Sequence, residues 1–422
     1  MLENIELKGL WHLPENPTQK IAGILKYEPS KQIILELIGV FTIEAEDFQK
    51  AFFNKKIDYP IIYGETSDGT YFTLFNCTRW GSYNYSCSFP LTNFTVTHLL
   101  QGYYLKNFKD AFFDYVEFGI PKLEKWIGIN THNLKVHSQA DDSVVSFELG
   151  RKYMREFKYI IDENTKIKLC TGTYFRGGYE TFEIRQDAYC RIYSNIPLSI
   201  SAFLEKMYTF KSLVSIGVLR KLVFSDIKFF NKDLSAEISK EKEFGMYLLF
   251  AQRDNYIPKP KNHNLFNFIA IQNNFEQIIQ KWYKNNSELS PIRKHFLDAI
   301  SITSIFSSTD FLILAFAIEG FYFRFRTQQK KTSLNTAIPK LIKEFKHIKL
   351  IKGLNIDINQ VNDSRNYYAH LLNTTVKPNT LFGEELYDLA EKLKLLLICC
   401  LLKEMGFSDE MIDKAISNSG QS

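Results

Sequence analysis

The sequence is short of the residues that build most familiar reaction centres. It has six cysteines and no Cys-x-x-Cys pair, so neither a thiol redox motif nor a disulfide framework is spelled out. No cysteine–histidine grouping has zinc spacing, and His-Glu-x-x-His is missing. A Gly-x4-Gly-Lys-Ser/Thr loop, a Gly-x-Gly-x-x-Gly turn after a strand and a Gly-x-Ser-x-Gly elbow are missing too. These gaps disfavour phosphate-loop, dinucleotide and serine-hydrolase chemistry. A metal-dependent nuclease would want Glu-x-Lys on a strand. Glu344-Phe345-Lys346 hints at this, but it sits in an amphipathic helical pattern with no suitably placed aspartate. The expected chemistry is therefore independent of metals and nucleotide cofactors. Long hydrophobic runs are also scarce. Phe311–Phe323 contains Glu319, and Leu395–Leu402 is too short to cross a bilayer. The opening MLENIELKGLW is acidic and strand-like rather than a basic-apolar export signal, so the expected location is the cytoplasm.

What remains is a globular chain of 422 residues, 45% hydrophobic and 23% charged, enough for two or three domains. The net charge of +5 permits a phosphate-bearing partner without demanding one. Only twelve of the 52 basic residues are arginine, so each guanidinium merits a look. The 36 phenylalanines and 23 tyrosines favour a β-rich portion.

The chain changes character near residue 260. Before it, Ile21–Tyr27 and Gln32–Phe41 flank Glu28-Pro-Ser-Lys, and Ile61–Glu65 and Thr70–Cys77 flank Ser67-Asp68-Gly69, both hairpin patterns. Further strands are expected at Phe94–Gly102, Asp114–Ile120, Ser143–Leu149, Lys166–Phe175, Thr181–Ser194, Val223–Phe230 and Met246–Gln252. About ten strands at this spacing suggest a sandwich or barrel-like domain. A Ser199-capped helix interrupts them, with Ile200, Phe203, Met207, Phe210 and Val214 on one face. Residues 255–264, rich in Pro, Lys and Asn, read as a linker. The expected fold is a β-rich domain over 1–258, then an all-α bundle over 264–416.

In that second part Asn274 is expected to cap Phe275–Lys284, and Pro291 to stand first in its helix. Ser308 should cap Thr309–Arg326, Ser333 the helix from Leu334, and Gly406 should close Gly383–Met405. Asp363 or Ser364 should cap the stretch Arg365-Asn366-Tyr367-Tyr368-Ala369-His370. Cys399 and Cys400 lie in an apolar run and should be buried thiols.

On a helix, Arg365 and His370 stand about 140° apart and about 7.5 Å along the axis. That spacing suits two groups converging on a third body better than one direct pair. Cutting RNA without a metal needs a base for the 2′-hydroxyl, an acid for the leaving 5′-oxygen and positive charge on the phosphorane. An imidazole serves the first two and a guanidinium the third. Asn366 could orient the ring or hold a phosphate oxygen. An alternative is a surface arginine beside a hydrogen-bonded histidine with no chemistry at all.

This hexapeptide resembles the Arg-polar-x3-His signature of HEPN domains. The segments FEQIIQKWYK, Pro291 and FLILAFAIEGFYF follow the order of the ApeA-like HEPN group, and Gly9–Gly39 resembles the N-terminal domain of ApeA-like anti-phage proteins. The resemblance implies a homodimeric, metal-independent endoribonuclease of abortive infection, with tRNA as the expected target, cofactors none, and a phage-derived trigger at the first domain. It implies that His370 is the acid–base group, Arg365 the phosphate contact and Asn366 their support. One motif copy per chain then requires two chains. The competing reading is a non-catalytic binding protein whose helical part only dimerises, and a third is a carbohydrate-binding module on a helical scaffold.

Other residues carry expectations of their own. Glu319 matches an acidic position of the related family and either hydrogen-bonds to the helix of Arg365–His370 and orients Arg365, or reaches solvent along the helix edge. Tyr367 and Tyr368 either stack on bases or pack at the helix or dimer interface. Arg324, Arg326, Lys330 and Lys331 either track an RNA backbone or form a solvated helix end. Trp11, His12, Arg79, Trp80, Arg176 and Gly177-Gly178 are possible contacts in the first domain, but core or loop packing is expected for most of them and none is named as a site.

Overall fold

The computed structural model describes residues 3–41, 57–80, 91–108, 111–138, 145–151, 154–177, 181–233, 245–252, 264–301, 306–327 and 332–418. Its first six strands are β1 (Ile5–Leu13), β2 (Asn16–Glu28), β3 (Gln32–Ile38), β4 (Ile57–Thr66), β5 (Tyr71–Trp80) and β6 (Leu91–Gln101). Both expected hairpins form. Glu28 pairs with Gln32, and Glu65 pairs with Tyr71 around Gly69 at φ 77°, a conformation glycine adopts without strain. The antiparallel pairings β1–β2–β3–β6–β5–β4–β1 close a ring, a six-stranded barrel that leaves these strands few free edges.

Alternation fills the barrel. Ile33, Leu35 and Leu37 of β3 point inward beside Leu25 and Tyr27 of β2 and Phe94 and Val96 of β6. Trp11 is fully buried among them, and Gly64 is where it is because any side chain there would strike the indole ring.

Strand β6 serves two structures. Its first half pairs with β3, and Leu99–Gln101 pair with β14 (Gly245–Leu249). From there the sheet continues through β13 (Ile227–Phe230), β7 (Phe112–Phe118), β12 (Phe182–Ser199) and β11 (Thr165–Gly177) to β10 (Arg155–Ile160). Strands β8 (His132–Ser138) and β9 (Val145–Arg151) form a separate pair. The sequence pattern missed β8, β10 and the short helix α1 (Leu123–Ile127). Helix α2 (Ile200–Gly217) starts at Ser199, whose hydroxyl accepts from the Ala202 amide at 3.3 Å. Its expected apolar face is buried against the inner side of this sheet.

The helical part runs α3 (Phe268–Ile271), a 3-10 turn (Gln272–Asn274), α4 (Phe275–Lys284), α5 (Asn286–Ile300), α6 (Ser308–Phe325), α7 (Leu334–Glu344), α8 (Lys349–Lys352), α9 (Ile358–His370), α10 (Gly383–Met405) and α11 (Asp409–Asn418). Several starts differ from expectation. Asn274 makes no side-chain cap, because the 3-10 turn already feeds α4; Asn267 caps α3 instead. Helix α5 begins at Asn286, so Pro291 lies inside it. Pro291 and Ser287 are both exposed, so the carbonyl that proline leaves without a donor faces water. The cap of α6 is Ser307, whose amide donates to Asp310 at 2.7 Å in a capping box. Gly406 closes α10 at φ 94°, and Cys399 and Cys400 are buried in it.

The two parts share one core and a polar seam. Rings of Phe268 and Phe275 pack on Tyr159 and Trp126. Across α2, Trp282 donates its indole N–H to the Thr209 carbonyl at 2.8 Å, and the Tyr283 hydroxyl donates to the Lys206 carbonyl at 2.7 Å. Buried Arg293 donates to Thr209 and Asn286, and Asn286 in turn donates to Glu205. No carboxylate bonds this guanidinium directly among the described residues, and burial brings its pKa down to about 10.

Candidate functional site

Helix α9 carries the site. It starts six residues earlier than Asp363, at an Asp357 cap that accepts from the Asn359 amide at 2.8 Å. Asp363 and Ser364, expected as caps, therefore lie within the helix and do something else. Asp363 accepts from the Asn379 amide and side chain at 3.1 and 2.9 Å and pairs with Lys377. Burial opposes its charge, yet these partners hold its carboxyl below the usual range. The fully buried Ser364 hydroxyl accepts from the Leu381 amide at 2.9 Å, and Tyr368 donates to the Leu381 carbonyl at 3.0 Å. Residues 363, 364 and 368 thus staple the loop 371–382 back onto the helix. The helix ends at His370 because Leu371 turns to φ 52°.

Arg365 and His370 meet directly. Arg365 Nη1 lies 3.2 Å from His370 Nε2 and 2.9 Å from Asn366 Oδ1. The helical spacing alone argued against such a pair. The long arginine side chain spans the five residues to an imidazole at the very end of the helix. A guanidinium only donates, so this contact is a hydrogen bond when Nε2 accepts and the ring proton sits on Nδ1. Both Nη1 hydrogens are then used, while Nε and Nη2 make no hydrogen bond among the described residues. His370 is exposed and Arg365 half-buried. The Arg365 guanidinium lies over the ring of Phe316 of α6, 5.4 Å from its centroid.

The other expected residues divide. Glu319 does not hydrogen-bond Arg365. It is half-buried one turn after Phe316 and makes no hydrogen bond or ion pair among the described residues. Tyr367 and Tyr368 are half-buried and pack edge-on against each other and Phe382, with ring centroids 4.9–6.2 Å apart, rather than standing open as platforms. Arg326 is not available to an RNA backbone. Its Nε and Nη2 bond Glu344 and its Nη1 bonds Glu404 at 2.8 Å, tying α6 to α7 and α10. Arg324 pairs with Glu288 at 2.8 Å. Lys330 and Lys331 lie outside the described residues. In the β region Trp11 and Arg79 are buried, His12 is buried against Tyr63 and Tyr104, Trp80 and Arg176 are exposed, and Gly178 lies outside the described residues. Those residues do not converge on a site.

The sequence pattern gave no notice of Phe316. The available signal was Phe316 and Phe323, two large apolar residues seven apart, both exposed on α6. Among the described residues no group of three or more His, Cys, Asp or Glu could hold a metal ion, and no helix is long and apolar enough to cross a membrane.

No curated protein and no solved structure matches the chain. Two family models do. Residues 6–282 match the ApeA N-terminal domain 1, and residues 312–411 match the Apea-like HEPN domain, which contains Phe316, Arg365 and His370. The first match alone spans well over half of the sequence. With a barrel and its sheet extension followed by a helical bundle carrying the Arg-x4-His pair, the chain belongs to the ApeA-like family of HEPN anti-phage proteins.

Proposed function

We propose that the protein is a metal-independent endoribonuclease that acts in abortive infection as a homodimer and cuts tRNA. The observation that carries this is the contact between Arg365 Nη1 and the exposed His370 Nε2 at 3.2 Å, with the Nε–Nη2 edge of the same guanidinium unpartnered among the described residues. That edge has the geometry to take two oxygens of a phosphate.

The chemistry follows from these atoms. In the resting site Arg365 donates into the lone pair that a general base must use. An incoming phosphate competes for the guanidinium, draws it onto its own oxygens and frees Nε2. The imidazole then removes the 2′-hydroxyl proton, the oxygen attacks phosphorus, and Arg365 stabilises the charge that builds on the phosphorane. The 5′-oxygen leaves with a proton from an acid. One chain offers one such imidazole, so the His370 of a second copy, in its protonated imidazolium form, supplies that proton. The exposed Leu371 and Leu372, which follow His370, and Phe382, which packs on Tyr367, give a second copy an apolar surface to cover. In this reading residues 264–416 form the nuclease and residues 1–258 the region that answers to a phage-derived trigger.

The test is incubation of the full chain with total tRNA in EDTA, native beside His370→Ala. Cleavage leaving 2′,3′-cyclic phosphate ends, reduced at least about a hundredfold in the variant, is expected. Equal cleavage by both chains would sink the assignment and leave the non-catalytic reading.

A further inference from the structure

We infer that Phe316 is a positioning residue for Arg365, a step that rests on the nuclease reading. The ring belongs to another helix, 49 positions before the arginine in the sequence, and nothing in the Arg-x4-His pattern points to it. Its centroid is 5.4 Å from the guanidinium carbon. Two constraints then act on one planar group. The ring holds the cation over its face, and the bonds from Nη1 to Asn366 and His370 hold one end of it. What is left without a hydrogen bond among the described residues is the Nε–Nη2 edge, the fork that suits a phosphate.

An aromatic ring has an advantage here over the carboxylate of Glu319. A carboxylate would bond the in-plane donors and neutralise the charge, so a phosphate would have to displace it. The π-face attracts the cation from above and uses none of its N–H groups. Phe316 is 40% exposed, so core packing does not account for it. When phosphate draws Arg365 away from Nε2, the guanidinium can slide over the ring without losing its stacking.

The experiment is a double-mutant cycle on the full chain, read as the single-turnover rate of tRNA cleavage. Phe316→Leu in the native background should slow cleavage about two- to fivefold, and Phe316→Trp should restore it. In an Arg365→Lys background, which lacks the planar fork, Phe316→Leu should change nothing further. Thermal midpoint and oligomeric state, measured on each variant, should match the parent. A native rate in Phe316→Leu beside an inactive His370→Ala overturns the inference alone. An equal loss in both backgrounds, or a loss accompanied by dissociation, overturns it as well by showing a structural role. An Arg365→Lys chain as active as the native one removes the nuclease reading and this inference together.

Discussion

Helix α6 offers a phenylalanine to each of two arginines, and the two pairs have opposite fates. The Arg326 guanidinium lies 5.0 Å from the centroid of buried Phe321, and that of Arg365 lies 5.4 Å from the centroid of exposed Phe316. The cation–ring contact is the same. The in-plane donors differ. Around Arg326 they are consumed by Glu344, Glu404 and the Phe325 carbonyl. Burial works against its charge, and the two carboxylates outweigh it and raise the pKa. Around Arg365 only Nη1 is hydrogen-bonded among the described residues, and no carboxylate is among its partners. A guanidinium surrounded by carboxylates is a rivet between helices. One held by a ring, an amide and an imidazole keeps its charge and one edge for a ligand. Residue type and exposure alone do not separate the two; the accounting of donors does.

That contrast is sharpest when both are removed. Arg365→Ala should lower tRNA cleavage by at least about a hundredfold, with a change in unfolding free energy below about 0.5 kcal/mol. Arg326→Ala should do the reverse. It strands Glu344 and the largely buried Glu404 without their cation and should destabilise the fold by about 2–3 kcal/mol in urea titration, with cleavage per folded molecule unchanged. If Arg326→Ala leaves stability untouched while cleavage falls, the division between rivet and fork is wrong.

A smaller effect tests the staple behind the site. Ser364→Ala removes the acceptor of the Leu381 amide and should cost about 1 kcal/mol. Hydrogen exchange at Leu381 should quicken selectively. Unchanged protection there would mean that the loop 371–382 is held by other contacts.

The two histidines extend the comparison at lower amplitude. His370 sits in solvent on an arginine. His98 of β6 is largely buried between Phe108 and Phe250, with Nδ1 unbonded among the described residues, and burial lowers its pKa to about 4. Its ordinary value is about 6.5. The unfolded chain therefore takes up a proton that the folded chain refuses, and stability should fall as pH drops from about 6.5 to about 4. His98→Phe should flatten that part of the stability profile. A slope that survives the substitution assigns the acid sensitivity elsewhere.

Local chemistry was legible in the sequence and distant partnership was not. Glu28–Lys31 and Ser67–Gly69 announced their hairpins because the turn residues stand beside the strands they join. The barrel was only half-read, since its closure depends on β1 meeting β4 and β6 meeting both β3 and β5, pairings that no local pattern encodes. The hexapeptide does lie at a helix end, yet helical spacing placed Arg365 and His370 too far apart. That estimate follows the backbone, and the contact is made by a long side chain reaching a residue at the helix terminus. Arg326 was misread because its carboxylates are 18 and 78 positions away. Asp363 and Ser364 looked like caps because those residue types usually are; Asp357 had already taken that task.

The seam along α2 carries a last consequence. Trp282, Tyr283 and Arg293 grip that helix at Lys206 and Thr209, while its other side is pressed to the sheet that grows from the barrel wall. The halves are joined across a broad bonded surface, not merely by the peptide that runs between residues 252 and 264. Cutting the chain between residues 252 and 264 would therefore leave the two halves held together.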